Sequence, residues 1–187
     1  MKSIFTVLLF AILFSSNTFL QAQVKDAQVE ETTTAAAAWE KFDGEEYAIE
    51  YAPDWKFSQS GQMGTTFVLM SAMESDQDKF GENINLIVQD IKGMGLDLEK
   101  YATLSEQQIK TMIENSEIKS SERLEKNGQP FQKVIFTGKQ ANFDLIFEQY
   151  YFIKNEKAYV LTLTFEIDKV EKFQAIGEKM LNSFTLK

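Results

Sequence analysis

The chain has 187 residues and a formal net charge of −9, from 28 acidic and 19 basic side chains. Such an acidic protein repels phosphate backbones, which argues against nucleic acid as a partner. The chain contains neither cysteine nor histidine, which excludes disulfides and thiolate nucleophiles and removes the usual general base and metal ligand. Paired carboxylates can act as acid and base without histidine, but no pair is singled out by its spacing. We therefore predict a protein that is not an enzyme and holds no cofactor and no metal.

The N-terminal segment is typical of a secretory signal peptide. Lys2 precedes an uncharged, largely apolar run at residues 4–14. A helix of about 11 residues is only about 16 Å long, about half of a ~30 Å hydrocarbon core. We predict a signal peptide over residues 1–23, cut after Ala22 or Gln23, and a soluble product in the periplasm or the medium without stable membrane insertion. Without a cysteine to carry the lipid, the product is not a bacterial lipoprotein.

Two regions follow the predicted signal peptide. Residues 24–38 are small and acidic and lack periodic apolar positions, so they indicate a flexible tether. Residues 39–187 have a uniformly globular composition and the size of one domain. We expect one folded domain behind a tether.

The first part of that domain predicts three strands. Residues 47–51 place two tyrosines and an isoleucine on one face, and residues 65–72 (TTFVLMSA) form a β-rich run. Residues 83–91 (NINLIVQDI) set Ile84, Leu86 and Val88 at alternate positions. Period-two alternation is the signature of a strand with one buried face. A helix follows, because Asp97 is placed to cap a 3.6-residue apolar stripe that runs to about Ser116.

The second part predicts two hairpins and a closing helix. Asn127–Gly128 and Asn155–Glu156 stand between β-like runs and favour tight hairpin turns. In the second hairpin, the arms at residues 143–153 and 159–165 each carry aromatic and aliphatic side chains at alternate positions, so we expect this hairpin at the centre of the core. Asp168 and Glu171 have the spacing of a capping box ahead of a helix over about residues 170–184.

Strands joined by tight turns and interrupted by two helices indicate an α+β fold with an antiparallel sheet rather than a doubly wound parallel one. The chain also resembles the PsbP-like superfamily, which includes PsbP and DcrB-like exported domains. The resemblance extends over about residues 42–186, and the stretches that carry it are YAPDW, FVLM, INLIVQDI, LDLEKYATLSEQQIK, NGQPF, LIFEQYYFIKNEKAYVLTLTF and IGEKMLNSF. It implies an antiparallel β-sheet sandwiched between helices and an accessory or adaptor role without catalysis. It implies no site residue.

The stretch APDW at residues 52–55 offers one weak candidate for partner binding. Pro53 has no amide proton and ends the preceding strand. Trp55 then has two interpretations: it caps the open end of the core together with Phe57, or it is exposed and anchors a partner. The first interpretation is favoured.

An acidic stretch, ESDQDKFGEN, raises the question of calcium. It spaces Glu74, Asp76 and Asp78 at alternate positions and adds Glu82, and hard cations prefer several oxygen ligands. Lys79, however, stands where a calcium loop requires glycine. We interpret the stretch as a solvated loop.

A second stretch, KGMGLDL, sets Gly93 and Gly95 between a strand and a helix, as a phosphate-binding loop does. The third glycine of the dinucleotide motif is missing, and Asp97 would repel phosphate. We interpret the glycines as a flexible connection.

Two functions remain open. The favoured one is an exported non-catalytic adaptor that binds an envelope or extracellular protein. The alternative is a carrier of a small apolar molecule held between sheet and helix, which the 16 phenylalanines and 6 tyrosines suggest.

Overall fold

A computed structural model describes residues 38–61, 64–75 and 77–187. The predicted signal peptide and all but the last residue of the predicted tether lie outside these residues. The described strands are β1 (Glu40–Asp43), β2 (Tyr47–Tyr51), β3 (Lys56–Ser58), β4 (Phe67–Met70), β5 (Asn83–Asp90), β6 (Glu114–Lys126), β7 (Gln129–Gln140), β8 (Phe143–Lys154), β9 (Lys157–Glu166) and β10 (Thr185–Leu186). The described α-helices are α1 (Leu98–Met112) and α2 (Val170–Ser183).

The strands form two antiparallel sheets. The larger sheet has the order β3-β4-β5-β9-β8-β7-β6, and the smaller has the order β1-β2-β10. Consecutive strands pair directly in the hairpins β6–β7, β7–β8 and β8–β9. The predicted α+β class with an antiparallel sheet is confirmed, and β8 and β9 lie near the centre of the larger sheet.

The two predicted hairpin turns have the backbone geometry that their sequences favour. Asn127 and Gly128 have φ angles of 51° and 76°, and Asn155 and Glu156 have φ angles of 52° and 57°. Two consecutive positive φ angles define the type I′ turn, whose twist matches that of the flanking strands. These turns set the register of the long strands on either side.

Each face of the larger sheet is covered by a different layer. Helix α1 lies over β6, β7 and β8, whereas α2 contacts β9 and, with β2, covers the opposite face. The core on the α1 face is built from buried residues that include Ile87, Tyr101, Ile109, Val134, Phe136, Leu145, Phe147 and Tyr151. The core on the α2 face includes Ile49, Trp55, Phe67, Leu86, Tyr150, Phe152, Leu161, Phe165, Phe173 and Leu181. The helix-and-sheet sandwich implied by the resemblance is therefore present.

The central hairpin is buried on both faces. In β8, Phe147 and Tyr151 point towards α1, whereas Tyr150 and Phe152 point towards α2. The alternating residues 159–165 of β9 join the α2 side. The alternating side chains of residues 143–153 therefore belong to the core on the α1 face, and those of residues 159–165 belong to the core on the α2 face.

The predicted end of α1 and the predicted cap of α2 are wrong, whereas the predicted bounds of α2, about residues 170–184, agree with Val170–Ser183. Helix α1 ends at Met112 instead of about Ser116, because Ile113 is already extended (φ −99°, ψ 122°) and its side chain packs directly over Gly138 of β7. The expected Asp168–Glu171 capping box is absent. A 3₁₀ turn at Ile167–Lys169 directly precedes α2, so Lys169 is the N-cap residue of α2, and its side chain makes no capping hydrogen bond. The short strands β1, β3 and β10 were not predicted.

Candidate partner-binding site

Trp55 lies in the core on the α2 face. Its side chain is 3% exposed and meets the Phe173 ring edge to face, with 6.3 Å between the ring centroids. Phe57 stacks on Phe42 nearby. The partner-anchor interpretation required an accessible Trp55 ring, and the ring is buried.

The predicted solvated loop is instead tied to the start of α2 by Lys169. The Lys169 Nζ lies 3.4 Å from a carboxylate oxygen of Glu74, 3.2 Å from Asp78 and 3.0 Å from Glu82. It also lies 3.0 Å from Glu166. We call these five residues the Lys169 cluster. The ammonium group occupies the centre that a cation would need. Asp76, the fourth acidic residue of the predicted loop, lies outside the described residues.

Burial and hydrogen bonding set the charge states in the Lys169 cluster. Burial alone would lower the pKa of Lys169, but hydrogen bonds with Glu166 and Glu82 outweigh it and raise the pKa. Burial opposes ionisation of Asp78, yet hydrogen bonds from two backbone N–H groups and Lys169 lower its pKa. Glu82 is fully buried and accepts a 3.1 Å hydrogen bond from the Ser71 hydroxyl. Every carboxylate in the cluster therefore has a cationic partner.

A second buried ion pair lies between the larger sheet and α2. The Lys133 Nζ is 2.8 Å from Glu148 and 3.4 Å from Glu178. Glu148 is 1% exposed, and burial raises its pKa despite the favourable charge of Lys133. Tyr150 lies beside the pair and donates a 3.0 Å hydrogen bond to Asn182. These groups tie β7 and β8 to α2.

The glycine-containing connection before α1 is a turn rather than a phosphate-binding loop. Gly93 and Gly95 have φ angles of 74° and 63°, which a residue with a side chain rarely adopts. Asp97 caps α1 as predicted, accepting a 2.8 Å hydrogen bond from the Lys100 backbone N–H. That hydrogen bond lowers the pKa of Asp97, so the N-terminus of the helix is already occupied by a carboxylate.

A surface pocket of about 350 Å³ lies at this end of α1. The chain runs along α1 and returns along β6, and the pocket lies where the start of α1 comes near Arg123 of β6. The pocket is lined by residues from the start of α1 and from the β6–β7 hairpin: Asp97, Leu98, Glu99, Arg123 and Gln132. We call it the α1–β6 pocket.

Two opposite charges in the α1–β6 pocket are unpaired within the described part of the chain. Arg123, the single arginine of the sequence, and Glu99 make no ion pair there within 4.0 Å. Asp97 is engaged by Lys100. A guanidinium group offers a planar fork of donors suited to a carboxylate, and a free carboxylate suits an ammonium group. The pocket can therefore receive a ligand that carries both charges.

The inner wall of the pocket is held by hydrogen bonds across three elements. Gln132 of β7 donates a 2.8 Å hydrogen bond to the Ser121 hydroxyl of β6. Ser121 in turn donates a 2.5 Å hydrogen bond to Glu106 of α1. The chain from β7 through β6 to α1 fixes the position of the helix over the sheet, and with it the width of the pocket.

The pocket adjoins one edge of the larger sheet. Strand β6 is the terminal strand in the sheet order, and its residues 121–125 are exposed. Its pairing with β7 shifts register twice, between Glu114 and Glu117 and between Ile118 and Ser120. From Ser120 to Lys126 the register is unbroken. The half of β6 beside the pocket is therefore a regular, exposed strand edge.

Sequence reasoning did not identify this site. The sequence analysis singled out none of its charged or polar lining residues other than Asp97, which was predicted only as a helix cap. Glu99, Arg123 and Gln132 come together only when α1 folds over the β6–β7 hairpin. One available signal was the presence of a single arginine in a strand otherwise rich in lysine and glutamate.

No protein-family model matches the chain, and no curated protein matches it. Its architecture, an antiparallel sheet with one helix on each face, is shared by several solved structures. Cyanobacterial PsbP (CyanoP) from Synechocystis has a TM-score of 0.61 at 14% identity, covering 80% of this chain and 92% of that one. LpqN from Mycobacterium tuberculosis, involved in cell envelope biogenesis, has a TM-score of 0.56 at 10% identity, covering 80% and 91%.

PA94 from Pseudomonas aeruginosa, a protein of unknown function, also has a TM-score of 0.56, at 8% identity, and covers 79% of this chain and 96% of that one. At these identities the likeness is one of fold. The chain has the PsbP-like fold, as the resemblance in its sequence implied. Within the described residues no helix is both long and apolar enough to cross a membrane.

Proposed function

We propose that the chain is an exported, non-catalytic accessory domain that binds a protein partner at the α1–β6 pocket. The observation that carries this proposal is that two opposite charges without an ion pair among the described residues line one pocket, whereas the buried lysines have carboxylate partners within the chain. Lys169 and Lys133, which are largely buried, are neutralised by carboxylates of the same chain. Arg123 and Glu99 are left unpaired around a pocket of about 350 Å³.

The charged groups that line the pocket favour a partner that carries charges of both signs. Four of its five lining side chains are polar or charged. A pocket for an apolar ligand is lined mainly by hydrophobic and aromatic side chains, with few polar groups. A partner that presents an acidic side chain to Arg123 and a basic one to Glu99 would satisfy both charges.

The fold neighbours support an accessory role only in general terms. LpqN is involved in cell envelope biogenesis, and PA94 has no known function. A role at the cell envelope agrees with the predicted signal peptide. The absence of histidine and cysteine from the whole sequence supports binding rather than catalysis.

Site-specific photocrosslinking in the native host tests the proposal. A photoreactive residue at position 99 should capture one discrete polypeptide, and the same residue at the exposed position 171 on α2 should not. Adding Arg123→Glu should remove the adduct from position 99, because the pocket would then carry only negative charge.

Capture of the same polypeptides from positions 99 and 171, or no capture from position 99, would contradict the proposal. The composition of the adduct is read by mass spectrometry, and an adduct made of two copies of this chain does not count as a partner.

A further inference from the structure

We propose that the regular half of β6, residues Ser120–Lys126, pairs antiparallel with the same segment of a second copy of this chain. The two copies would be related by a two-fold axis perpendicular to the sheet that passes beside Leu124. This pairing would join two seven-stranded sheets edge to edge. It goes beyond the proposed function, because binding of a partner in the pocket does not require a dimer.

The first argument is the state of the strand edge. In the described part of the chain, β6 pairs with β7 on one side and with no strand on the other. Natural proteins protect such edges with bulges, charged side chains, proline or very short strands, because the unpaired backbone groups are a template for another strand. The bulges in β6 lie before Ser120, so the segment Ser120–Lys126 is protected only by its charged side chains. The order of these charges then decides which strand can pair with it.

The second argument is the order of charges around Leu124. The sequence Glu122-Arg123-Leu124-Glu125-Lys126 has the signs minus, plus, neutral, minus, plus. When this sequence is reversed, every sign changes. Pairing it antiparallel with itself about Leu124 therefore sets Arg123 opposite Glu125 and Glu122 opposite Lys126, each twice. Opposite charges that face each other across strands are stabilising, and like charges are destabilising.

The third argument is that neighbouring registers are disfavoured. In an antiparallel pair, directly opposed residues lie on the same face of the sheet. A two-fold axis perpendicular to the sheet must therefore pass beside one residue, and that residue faces its own copy across the dimer. Centring the pairing on Arg123 sets two arginines against each other, and centring it on Glu125 sets two glutamates against each other. Leu124 is the neutral centre between them, and it is 38% exposed.

The side chains that would pair are accessible to different degrees. Glu122, Arg123 and Glu125 are exposed. Lys126 is partly engaged, because its Nζ donates hydrogen bonds to the backbone oxygens of Asn182 and Phe184. The Arg123–Glu125 pairs should therefore contribute more to the dimer than the Glu122–Lys126 pairs.

The size of the contact sets its strength. A segment of seven residues spans roughly 23 Å, which is short compared with interfaces that bury about 1,200–2,000 Å². We expect a weak, reversible dimer whose population rises with protein concentration over roughly 1–300 µM.

Single-cysteine crosslinking tests the register directly. The chain has no cysteine, so Leu124→Cys introduces the only thiol. Opposed Cα atoms in an antiparallel pair are about 4.5–5.5 Å apart, within the range of about 4.4–6.8 Å that a disulfide spans. Under copper–phenanthroline oxidation, this variant should form covalent dimers at least about tenfold faster than Glu122→Cys, whose thiols would lie four residues apart across the dimer. Equal rates for the two variants, or no dimer from Leu124→Cys, would overturn the register.

Charge reversal tests the pairing without a covalent bond. Arg123→Glu and Glu125→Arg should each weaken dimerisation about tenfold in sedimentation velocity, because two attractive pairs become repulsive. The double variant should restore dimerisation, because it reverses the order of the two charges and keeps them complementary. Lys92→Glu and Glu171→Arg change exposed charges outside β6 and should have no effect. Failure of the double variant to recover, or a wild-type protein that stays monomeric at 300 µM, would overturn the proposal.

One variant separates the dimer from the proposed function. Leu124→Lys sets two lysines against each other at the centre of the pairing but leaves all five pocket-lining residues in place. It should abolish the dimer and keep the photocrosslinked partner at position 99. Loss of the partner in this variant would mean that partner binding depends on the dimer, and retention of the dimer would contradict the pairing itself.

Discussion

The Lys169 cluster and the α1–β6 pocket use the same residue types for opposite purposes. In the cluster, one ammonium group meets carboxylates from Glu74, Asp78, Glu82 and Glu166 within 3.0–3.4 Å. In the pocket, Arg123 and Glu99 line one cavity without pairing. Charges with internal partners hold the fold, whereas charges without them are available to another molecule. The two regions should therefore respond differently to mutation and pH.

The largest effect is expected from Lys169→Met. The variant keeps the length of the side chain but leaves the fully buried Glu82 without its cation. Breaking a buried ion pair by removing one partner costs about 3–5 kcal/mol. Because Lys169 is 17% exposed, we expect a loss near the lower end, about 3 kcal/mol, in urea-induced unfolding. Lys172→Met is the matched control, because Lys172 pairs with Glu74 at the surface, and it should lose much less. Equal losses in the two variants would contradict a special role for the buried cation.

This cluster also shows where prediction from sequence stops. Asp78 and Lys169 are 91 residues apart in the chain, and no local pattern indicates that they meet. The acidic stretch at residues 74–82 therefore suggested either a solvated loop or a calcium site, and neither interpretation included the lysine that organises it. The α1–β6 pocket was missed for the same reason.

The sequence predicted more of the fold than of the two charged sites. Long strands with turn dipeptides at Asn127–Gly128 and Asn155–Glu156 were recognised because their signals are local. Strands β1, β3 and β10 have four, three and two residues, which is too short for an alternating pattern. The end of α1 was misplaced because the contact of Ile113 with Gly138, which fixes it, is also non-local.

The second effect is the pH dependence of the stability that Lys169 contributes. The pKa of Glu74 is lowered in the folded protein, first by the hydrogen bond from Lys172, and the pKa of Asp78 is lowered by hydrogen bonds that outweigh its burial. A hydrogen bond from Lys169 contributes to both shifts, and Lys169→Met removes this contribution. A carboxylate with a lowered pKa stabilises the fold above its unfolded pKa, and this contribution is lost as the pH falls through the folded pKa. The difference in unfolding free energy between the wild type and Lys169→Met should be constant from about pH 5 to 9 and should shrink below about pH 4. Urea titrations of both proteins at pH 3, 4, 5, 7 and 9 measure it. A difference that grows towards acid pH would mean that other groups control the loop.

The smallest effect on stability is expected at the pocket. Arg123→Ala removes an exposed guanidinium that has no ion pair among the described residues, so the free energy of unfolding should change by less than about 0.5 kcal/mol. The measurement is made at 1 µM protein, where the proposed dimer is dissociated.

The same variant should remove the partner adduct formed from position 99, because the pocket loses its cation. A large loss of stability would show that Arg123 has a structural role like that of Lys169. An unchanged adduct would contradict the role of Arg123 in partner binding. The contrast between the two regions holds only if Lys169→Met weakens the fold and Arg123→Ala weakens binding.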